Sequence, residues 1–159
     1  MEPAKVISIK LSTFSHATED EQKVLRAIRE LYPDEFPRKV ETAKVKGHYG
    51  NEIIVSRVKV GASVNADRFV ISLWSHLSPA NRREVTSRIE DFVDKSGTLH
   101  IRIGKQESFL GEVSLQESDP IKVEVQFDTR GPPSEPLIER IKSRLAALSD
   151  VGLASNPFS

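Results

Sequence analysis

Lysine and arginine alternate with apolar residues in five separate segments of the chain. These segments are 6–11, 42–46, 53–60, 99–103 and 121–127. Successive side chains of a β-strand point to opposite faces, so an alternating segment can bury its apolar positions and display its basic ones. The pattern therefore predicts five strands, each with an apolar face and a basic face.

The displayed positions of these strands share a positive charge. They are Lys10, Lys44, Lys46, Arg57, Lys59, His100, Arg102 and Lys122, and Glu124 is the carboxylate that interrupts them. The whole chain has 23 basic and 23 acidic residues and a formal net charge of zero. Such a composition favours a surface on which basic and acidic side chains are interspersed. If the strands pair in one sheet, that neutral total conceals a basic face, which is typical of a surface that binds a polyanion.

Apolar residues at helical spacing predict four helices between and after the strands. They cover about 19–31, 65–77, 78–93 and 136–148, and Thr18 with Glu21 fits a capping box at the first. A further strand is predicted at 109–115. The order strand, helix, two strands, two helices, three strands, helix indicates an α+β fold with one antiparallel sheet and helices on its apolar face only. We expect one domain over 1–150 and a flexible tail at 151–159.

The segment 47–51 connects the second and third strands. Its two glycines, Gly47 and Gly50, permit the positive φ angles of a tight connection. The sequence therefore predicts a β-hairpin that presents His48 and Tyr49 at its tip.

Composition narrows the chemistry that the chain can support. It has no cysteine, so disulfides and thiolate metal sites are excluded. Its four histidines are dispersed and no compact carboxylate cluster stands out, so we expect no metal and no cofactor. No long apolar run occurs, which predicts a cytoplasmic protein without a membrane partner.

Short motifs of this chain resemble a known protein family. They are the segments 16–20, 47–51 and 99–102, then Lys105 and Gln106, then the segment 118–121. Together and in this order they resemble the archaeal family described as a predicted RNA-binding exosome subunit. The resemblance implies an α+β fold like that of the large-subunit ribosomal protein that holds 5S RNA, and a place in RNA processing. Gly104 departs from the family pattern, which has an acidic residue before the Lys and Gln.

The basic face and the resemblance lead to the same hypothesis, which is non-catalytic RNA binding. Phosphate contacts from Lys and Arg supply affinity without reading the sequence, so we expect recognition of the backbone or of shape. Tyr49 is the best stacking candidate, because most of the ten aromatic residues (one Trp, two Tyr and seven Phe) occupy core-like positions. The predicted RNA-binding residues are Lys10, Lys44, Lys46, His48, Tyr49, Arg57, Lys59, Arg102, Lys105 and Lys122.

Two other classes of function remain open at this point. In the first, the chain is a protein-docking module of an RNA-processing complex such as the exosome, and exposed strand edges also permit a homodimer. In the second, His16 begins a His-x-Thr triplet of the kind that some RNA-end phosphoesterases use in pairs as acid and base. A second triplet is missing, because Ile101 and Arg102 follow His100 where a hydroxyl residue should stand.

Overall fold

The computed structural model describes residues 2–16, 18–31, 40–47, 49–60 and 64–155. These residues form five strands and six helices. In chain order they are β1 (Val6–Ser15), α1 (Glu21–Glu30), β2 (Glu41–Lys46), β3 (Glu52–Val60), α2 (Val64–His76), α3 (Pro79–Ser87), α4 (Ile89–Phe92), β4 (Thr98–Gly104), α5 (Lys105–Phe109), β5 (Pro120–Phe127) and α6 (Leu137–Ser155).

The five strands form one antiparallel sheet in the order β2-β3-β1-β5-β4. β1 lies in the middle, where Leu11 is in register with Val58 of β3 and with Val123 of β5. Buried and exposed positions alternate along β1, β4 and β5, so helices cover one face of the sheet only. The predicted α+β architecture is confirmed.

The hydrophobic core lies between the covered face of the sheet and the helices. Ile9 and Leu11 of β1 are fully buried there, together with Phe69 of α2 and Ile141 of α6. The apolar stripe predicted for the second helix is buried along its whole length, from Phe69 to Leu77 at every stripe position. Burial of these side chains is the main contribution to the stability of the layer packing.

The β2–β3 hairpin is confirmed. The backbone N–H of Gly47 donates to the carbonyl of Asn51 at 2.6 Å and closes the connection. Gly50 has a φ of +77°, a conformation that residues with a Cβ rarely adopt. His48 lies outside the described residues.

The first helix begins at Glu21 with Asp20 as its N-cap, so the capping box predicted at Thr18 is wrong. The Asp20 carboxylate accepts a hydrogen bond from the backbone N–H of Gln22 at 3.0 Å. An N-cap carboxylate both satisfies an unpaired N–H and interacts favourably with the helix dipole. Glu19, just before the cap, is consequently available for a different contact described below.

The strand predicted at 109–115 is wrong, because a short helix ends at 109 and a turn with irregular chain follows it. Residues 105–109 form α5, and of the predicted strand Leu115 alone bridges to the sheet, opposite Ile103. Gly111 has a φ of +83°, which turns the chain away from an extended path. The hydroxyl of buried Ser108 donates to the carbonyl of Ala27 at 2.6 Å and fixes α5 against α1.

The later helices differ from prediction at their ends. The helix predicted at 78–93 divides into α3 and α4 at Arg88, whose φ of −117° and ψ of +32° interrupt the α conformation. α6 continues to Ser155, so 151–155 of the predicted tail are helical, and 156–159 lie outside the described residues. Propagating an established helix adds one hydrogen bond per residue, even where the apolar spacing stops. No helix in the described part of the chain is both long and apolar enough to cross a membrane.

Removing the Ser108 hydroxyl should loosen α5. The carbonyl of Ala27 is among the last four of α1, which have no partner within the helix, so Ser108→Ala leaves it buried and unpaired. We expect the free energy of unfolding to fall by about 1 kcal/mol in urea denaturation. Ser87→Ala, at an exposed position of α3, is the matched control and should leave stability unchanged. Equal effects of the two substitutions would contradict the anchoring role of Ser108.

Candidate nucleic-acid interface

The face of the sheet opposite the helices, which we call the open face, displays every second residue of each strand. Register assigns its members by strand, from β2 through β3, β1 and β5 to β4. They are Glu41, Ala43 and Val45; Ile53, Val55, Arg57 and Lys59; Ser8, Lys10, Ser12 and Phe14; Lys122, Glu124 and Gln126; and Thr98, His100 and Arg102. This face carries most of the basic residues that the sequence singled out.

Four basic side chains, the basic quartet, occupy the centre of the open face. They are Lys10, Arg57, Lys59 and Lys122, and all four are exposed. Lys10 is in register with Lys59, and Ser12 lies between Arg57 and Lys122 in the next row. With strands about 4.8 Å apart and same-face residues about 7 Å apart along a strand, the four Cα atoms fall within about 10 Å by 7 Å.

The quartet has neighbours of both signs across the strands. Lys10 faces Lys59 and Lys122 faces Arg102, which repel, whereas Lys10 is also in register with Glu124 and Arg57 with Glu41. Within the described part of the chain, no quartet side chain forms an ion pair with a carboxylate. The result is a patch of positive potential that an anionic ligand would neutralise.

The β4 edge of the open face is different, because its charges are paired. Arg102 contacts Glu117 at 3.4 Å, and His100 contacts Asp94 at 2.7 Å and Glu124 at 3.8 Å. The hydrogen bond from His100, with others from Ser96 and Thr98, holds the pKa of Asp94 below its usual range. The positive potential is therefore strongest over β3, β1 and β5.

Lys44 and Lys46 lie on the other face of the sheet, which corrects the face assigned to them from the sequence. In the β2–β3 register, Lys44 is opposite Ile54 and Lys46 is opposite Glu52, while Ala43 and Val45 share the open face with Arg57. Lys44 also contacts Glu52 at 3.5 Å. Every residue of β2 is exposed, so burial does not select which of its faces is apolar.

Lys105 is buried at one end of the sheet in a cluster of ionisable groups, which we call the Lys105 cluster. Its ammonium donates to the carbonyl of Phe14 at 2.8 Å, to the carboxylate of Glu19 at 3.0 Å and to that of Asp119 at 2.8 Å. These three contacts match the three donors of a lysine ammonium. His16 completes the cluster through a contact of 3.2 Å with Asp119.

Asp119 adopts an unusual backbone conformation within this cluster. Its φ is +47°, in the left-handed region that costs an ordinary residue about 1 kcal/mol but that Asp and Asn tolerate better. Burial opposes ionisation of its carboxyl group, yet hydrogen bonds from Lys105 and His16 outweigh that effect and hold its pKa below the usual value. The ionised carboxylate is thus part of the folded cluster.

The cluster also contains three groups with metal-ligand spacing. One ligand atom each from His16, Glu19 and Asp119 lies within 4.8 Å of the others. The ammonium of Lys105 contacts both carboxylates and supplies the positive charge that a cation would bring. The geometry is therefore that of an ion-pair cluster joining the end of β1, the start of α1 and the start of β5.

Comparison with known proteins places the chain in a family. A family model described as RNA binding matches residues 8–127. The RNA-binding protein PAB1135 of Pyrococcus abyssi is 38% identical over 117 residues, which cover 72% of this chain and 76% of the relative. The chain belongs to this RNA-binding family. The match runs from Ser8 in β1 to Phe127 at the end of β5, so it includes the whole basic quartet and the Lys105 cluster.

Solved structures support the same relationship. Protein AF2318 from Archaeglobus fulgidus is 37% identical with a TM-score of 0.78, and the match covers 88% of this chain and 99% of that one. Mth689, a DUF54 protein from Methanothermobacter thermautotrophicus, has a TM-score of 0.70 at 24% identity over 89% of this chain and 98% of its own, which shows a shared fold. The α+β architecture is therefore common to these archaeal proteins.

Three motifs that resembled the family come together in the Lys105 cluster. The segment 16–20 supplies His16 and Glu19, Lys105 follows β4, and the segment 118–121 supplies Asp119. Lys105 was predicted to contact RNA from an exposed position, but it is 8% exposed and its ammonium is fully engaged. Gly104 stands where the family pattern has an acidic residue, so that position supplies no carboxylate. The carboxylates that contact Lys105 are those of Glu19 and Asp119.

The two histidines of the phosphoesterase hypothesis are far apart. Register aligns His100 with Glu124 and Lys10 across the sheet, whereas His16 follows the end of β1. His16 is six positions beyond Lys10 in the sequence, so the histidines are displaced by about 20 Å along the strands. They do not form one acid–base pair.

Two exposed aromatic side chains of the described residues lie near the open face, and the sequence predicted one of them as a stacking residue. Tyr49 at the hairpin tip is 87% exposed, as expected for a candidate stacking residue. Phe14, which is not among the predicted RNA-binding residues, is 41% exposed on the open face at the end of β1. The signal was available, because Phe14 has the same parity as Lys10 along the strand and therefore points to the same face.

Loss of the Lys105 ammonium should destabilise the fold. Lys105→Met keeps the length of the side chain but leaves the carboxylates of Glu19 and Asp119 and the Phe14 carbonyl without their shared donor. We expect the free energy of unfolding to fall by about 2 kcal/mol, measured by urea denaturation. Lys95→Met, at an exposed position, is the control, and a loss no larger than that of the control would contradict the structural role of the cluster.

The charge of Asp119 should make part of the stability dependent on pH. Because its folded pKa lies below an unfolded value near 3.9, its stabilising effect is complete above about pH 5 and is lost as the pH falls through the folded pKa. Asp119→Asn keeps a residue that tolerates positive φ and removes the charge. We expect the difference in unfolding free energy between wild type and variant to shrink between about pH 5 and pH 2. A difference that stays constant over this range would count against the ionised cluster.

Proposed function

We propose that this protein binds RNA through the basic quartet on its open face, without catalysing a reaction on it, as an accessory of RNA processing or degradation. The observation that carries the proposal is the concentration of four exposed cations across three adjacent strands, none of which forms an ion pair with a carboxylate of the described residues. A neutral chain has no general need for such a patch. Membership of an RNA-binding family identifies RNA as the polyanion that fits it.

The chemistry of the quartet favours contacts to phosphates. Lysine and arginine side chains that project from a sheet reach the backbone of a nucleic acid and supply affinity that depends strongly on salt. Arg102 at the β4 edge extends the surface, although its pairing with Glu117 lowers its contribution. We therefore expect affinity for RNA with little dependence on its sequence.

The accessory role rests on the resemblance to the family described as a predicted exosome subunit and on the edges of the sheet. Val93 and Leu115 bridge to the outer side of β4, while the described strands leave the outer side of β2 unpaired. We propose this edge of β2 for attachment to an exosome or other RNA-processing subunit, or to a second copy of the chain. The charges of Lys44 and Lys46 beside it would limit indiscriminate pairing.

Neighbouring strands offer a matched pair of variants that tests the proposal. Arg57→Gln with Lys59→Gln removes two charges from the open face, and Lys44→Gln with Lys46→Gln removes two from the other face. Fluorescence anisotropy with a labelled single-stranded RNA and a labelled structured RNA would give the dissociation constants over a range of salt concentrations. Only the open-face variant should bind more weakly, and the slope of log K against log salt should fall by about 1.4, or about 0.7 per phosphate contact.

The same titrations distinguish the alternatives. Equal losses in both double variants would mean that total charge, and not the open face, attracts RNA. No binding by the wild type at low salt would overturn direct RNA binding and make protein docking the leading function. All four substitutions are at exposed positions, where the loss of a charge changes stability little even for the Lys44–Glu52 contact, so we expect both variants to fold, which thermal unfolding would verify.

A further inference from the structure

An apolar patch continues the open face beyond the basic quartet. Its exposed members are Phe14, Ala43 and Val45, while Ile53 is partly buried and Val55, which is in register with both Phe14 and Ala43, is only 5% exposed. Phe14 and Val45 are 41% and 43% exposed. An aromatic side chain is therefore displayed on the uncovered face, although folding alone would favour its burial.

Phe14 lies directly beside the quartet. It is two residues from Ser12 on the same face, and Ser12 has Arg57 and Lys122 on either side. Diagonal neighbours in an antiparallel sheet have Cα atoms about 7–8 Å apart, a distance that aromatic and long basic side chains span. If a flat group stacked on the Phe14 ring, anions attached to that group would thus be within reach of both Arg57 and Lys122.

The backbone at Phe14 is held by neighbouring groups. Lys105 donates to the Phe14 carbonyl at 2.8 Å, and the hydroxyl of Thr13 donates to the carbonyl of Pro120 at 3.1 Å. Both donors are buried. A displayed side chain on a fixed backbone loses less conformational entropy when it binds a ligand than one on a mobile loop.

We propose that Phe14 is a base-stacking platform and that the open face takes single-stranded RNA. The base of an unpaired nucleotide lies on the Phe14 ring while its flanking phosphates contact Arg57 and Lys122. Paired RNA does not fit this arrangement, because the faces of its bases are covered by their neighbours in the helix. Stacking tolerates every base, so the platform adds affinity without adding sequence preference. This inference rests on the proposed RNA binding by the open face.

The charge around the patch identifies its occupant. A protein surface that covered Phe14 and Val45 would also bring the quartet close to it, and would need acidic groups in register with Lys10, Arg57 and Lys122. A nucleic-acid strand combines flat apolar bases with a regular series of anions, and so matches the patch and the quartet together.

Phe14→Trp provides a direct measurement of stacking. The chain has one tryptophan, Trp74, which is 2% exposed in the core and gives a constant background. Oligouridylate should quench the fluorescence of the new indole as it binds. An abasic ribose-phosphate oligomer of the same length should bind through its phosphates without quenching. Binding of oligouridylate without quenching would overturn the platform.

Phe14→Leu keeps an apolar side chain and removes the aromatic ring. It should weaken binding of oligouridylate about tenfold while leaving the salt slope and the affinity for the abasic oligomer and for a uridylate–adenylate duplex unchanged. Leu110→Ala, which alters an exposed apolar residue just past the end of α5, is the control and should not change any of these affinities.

The possible failures are separable. If the wild type binds single strand, duplex and abasic oligomer equally and Phe14→Leu changes nothing, single-strand recognition is wrong while RNA binding by the quartet stands. If Phe14→Leu dissociates an oligomer of the chain and leaves RNA affinity unchanged, the patch is a protein contact and the inference is also wrong. If no RNA binds, the proposed function fails, and the inference with it.

Discussion

The antiparallel pairing of β1 with both β3 and β5 determines the character of the whole molecule. β1 pairs with a strand on each side, so its register is fixed by both partners. The register determines on which face of the sheet each β1 side chain lies. Ile9 and Leu11 therefore lie in the core, and Lys10, Ser12 and Phe14 lie on the open face. The same pairing aligns Lys59 and Lys122 with Lys10 and Ser12. The core and the candidate interface are therefore two consequences of one register.

The Lys105 cluster extends that constraint to the end of the sheet. A buried ammonium is stable only where acceptors surround it, and here Phe14 and Glu19 supply acceptors from one part of the sequence and Asp119 from a distant part. With His16 neutral, the cluster of one ammonium and two carboxylates carries a formal charge of −1, so it does not add to the positive charge of the open face. Its effect on that face is geometric, because it fixes the carbonyl of Phe14 and the approach of β5. Residues of the motifs that resemble an RNA-binding family can thus have a structural role.

The sequence predicts the fold and most residues of the open face. The predictions that were wrong have physical causes. Alternation located β1, β3, β4 and β5 correctly because one face of each is buried. For β2 the alternation located the strand but predicted the wrong face for its lysines. Every residue of β2 is exposed, so the apolar residues Ala43 and Val45 do not indicate which face is towards the core. The hairpin itself determines the face: with five residues between Lys46 and Glu52, which are in register, odd-numbered residues pair with odd-numbered ones, so Val45 pairs with Ile53 and lies on the same face as Arg57. The Lys105 cluster could not be derived from periodicity, because its members meet only through the tertiary fold.

Separation of charge on a neutral molecule has consequences that net charge does not reveal. A uniformly basic protein attracts nucleic acid to its whole surface, whereas an equal number of acidic residues placed elsewhere leaves one attractive face and repels the ligand from the others. Within the open face the gradient continues, because Arg102 and His100 of β4 contact Glu117 and Asp94, while the quartet cations of β1, β3 and β5 form no ion pair with a carboxylate in the described part of the chain. At physiological ionic strength such fields extend about 8 Å, roughly two strand spacings. If the open face binds RNA as proposed, the orientation of a bound strand would therefore be governed locally, by which cations the register places beside one another and by the aromatic ring at the end of their rows.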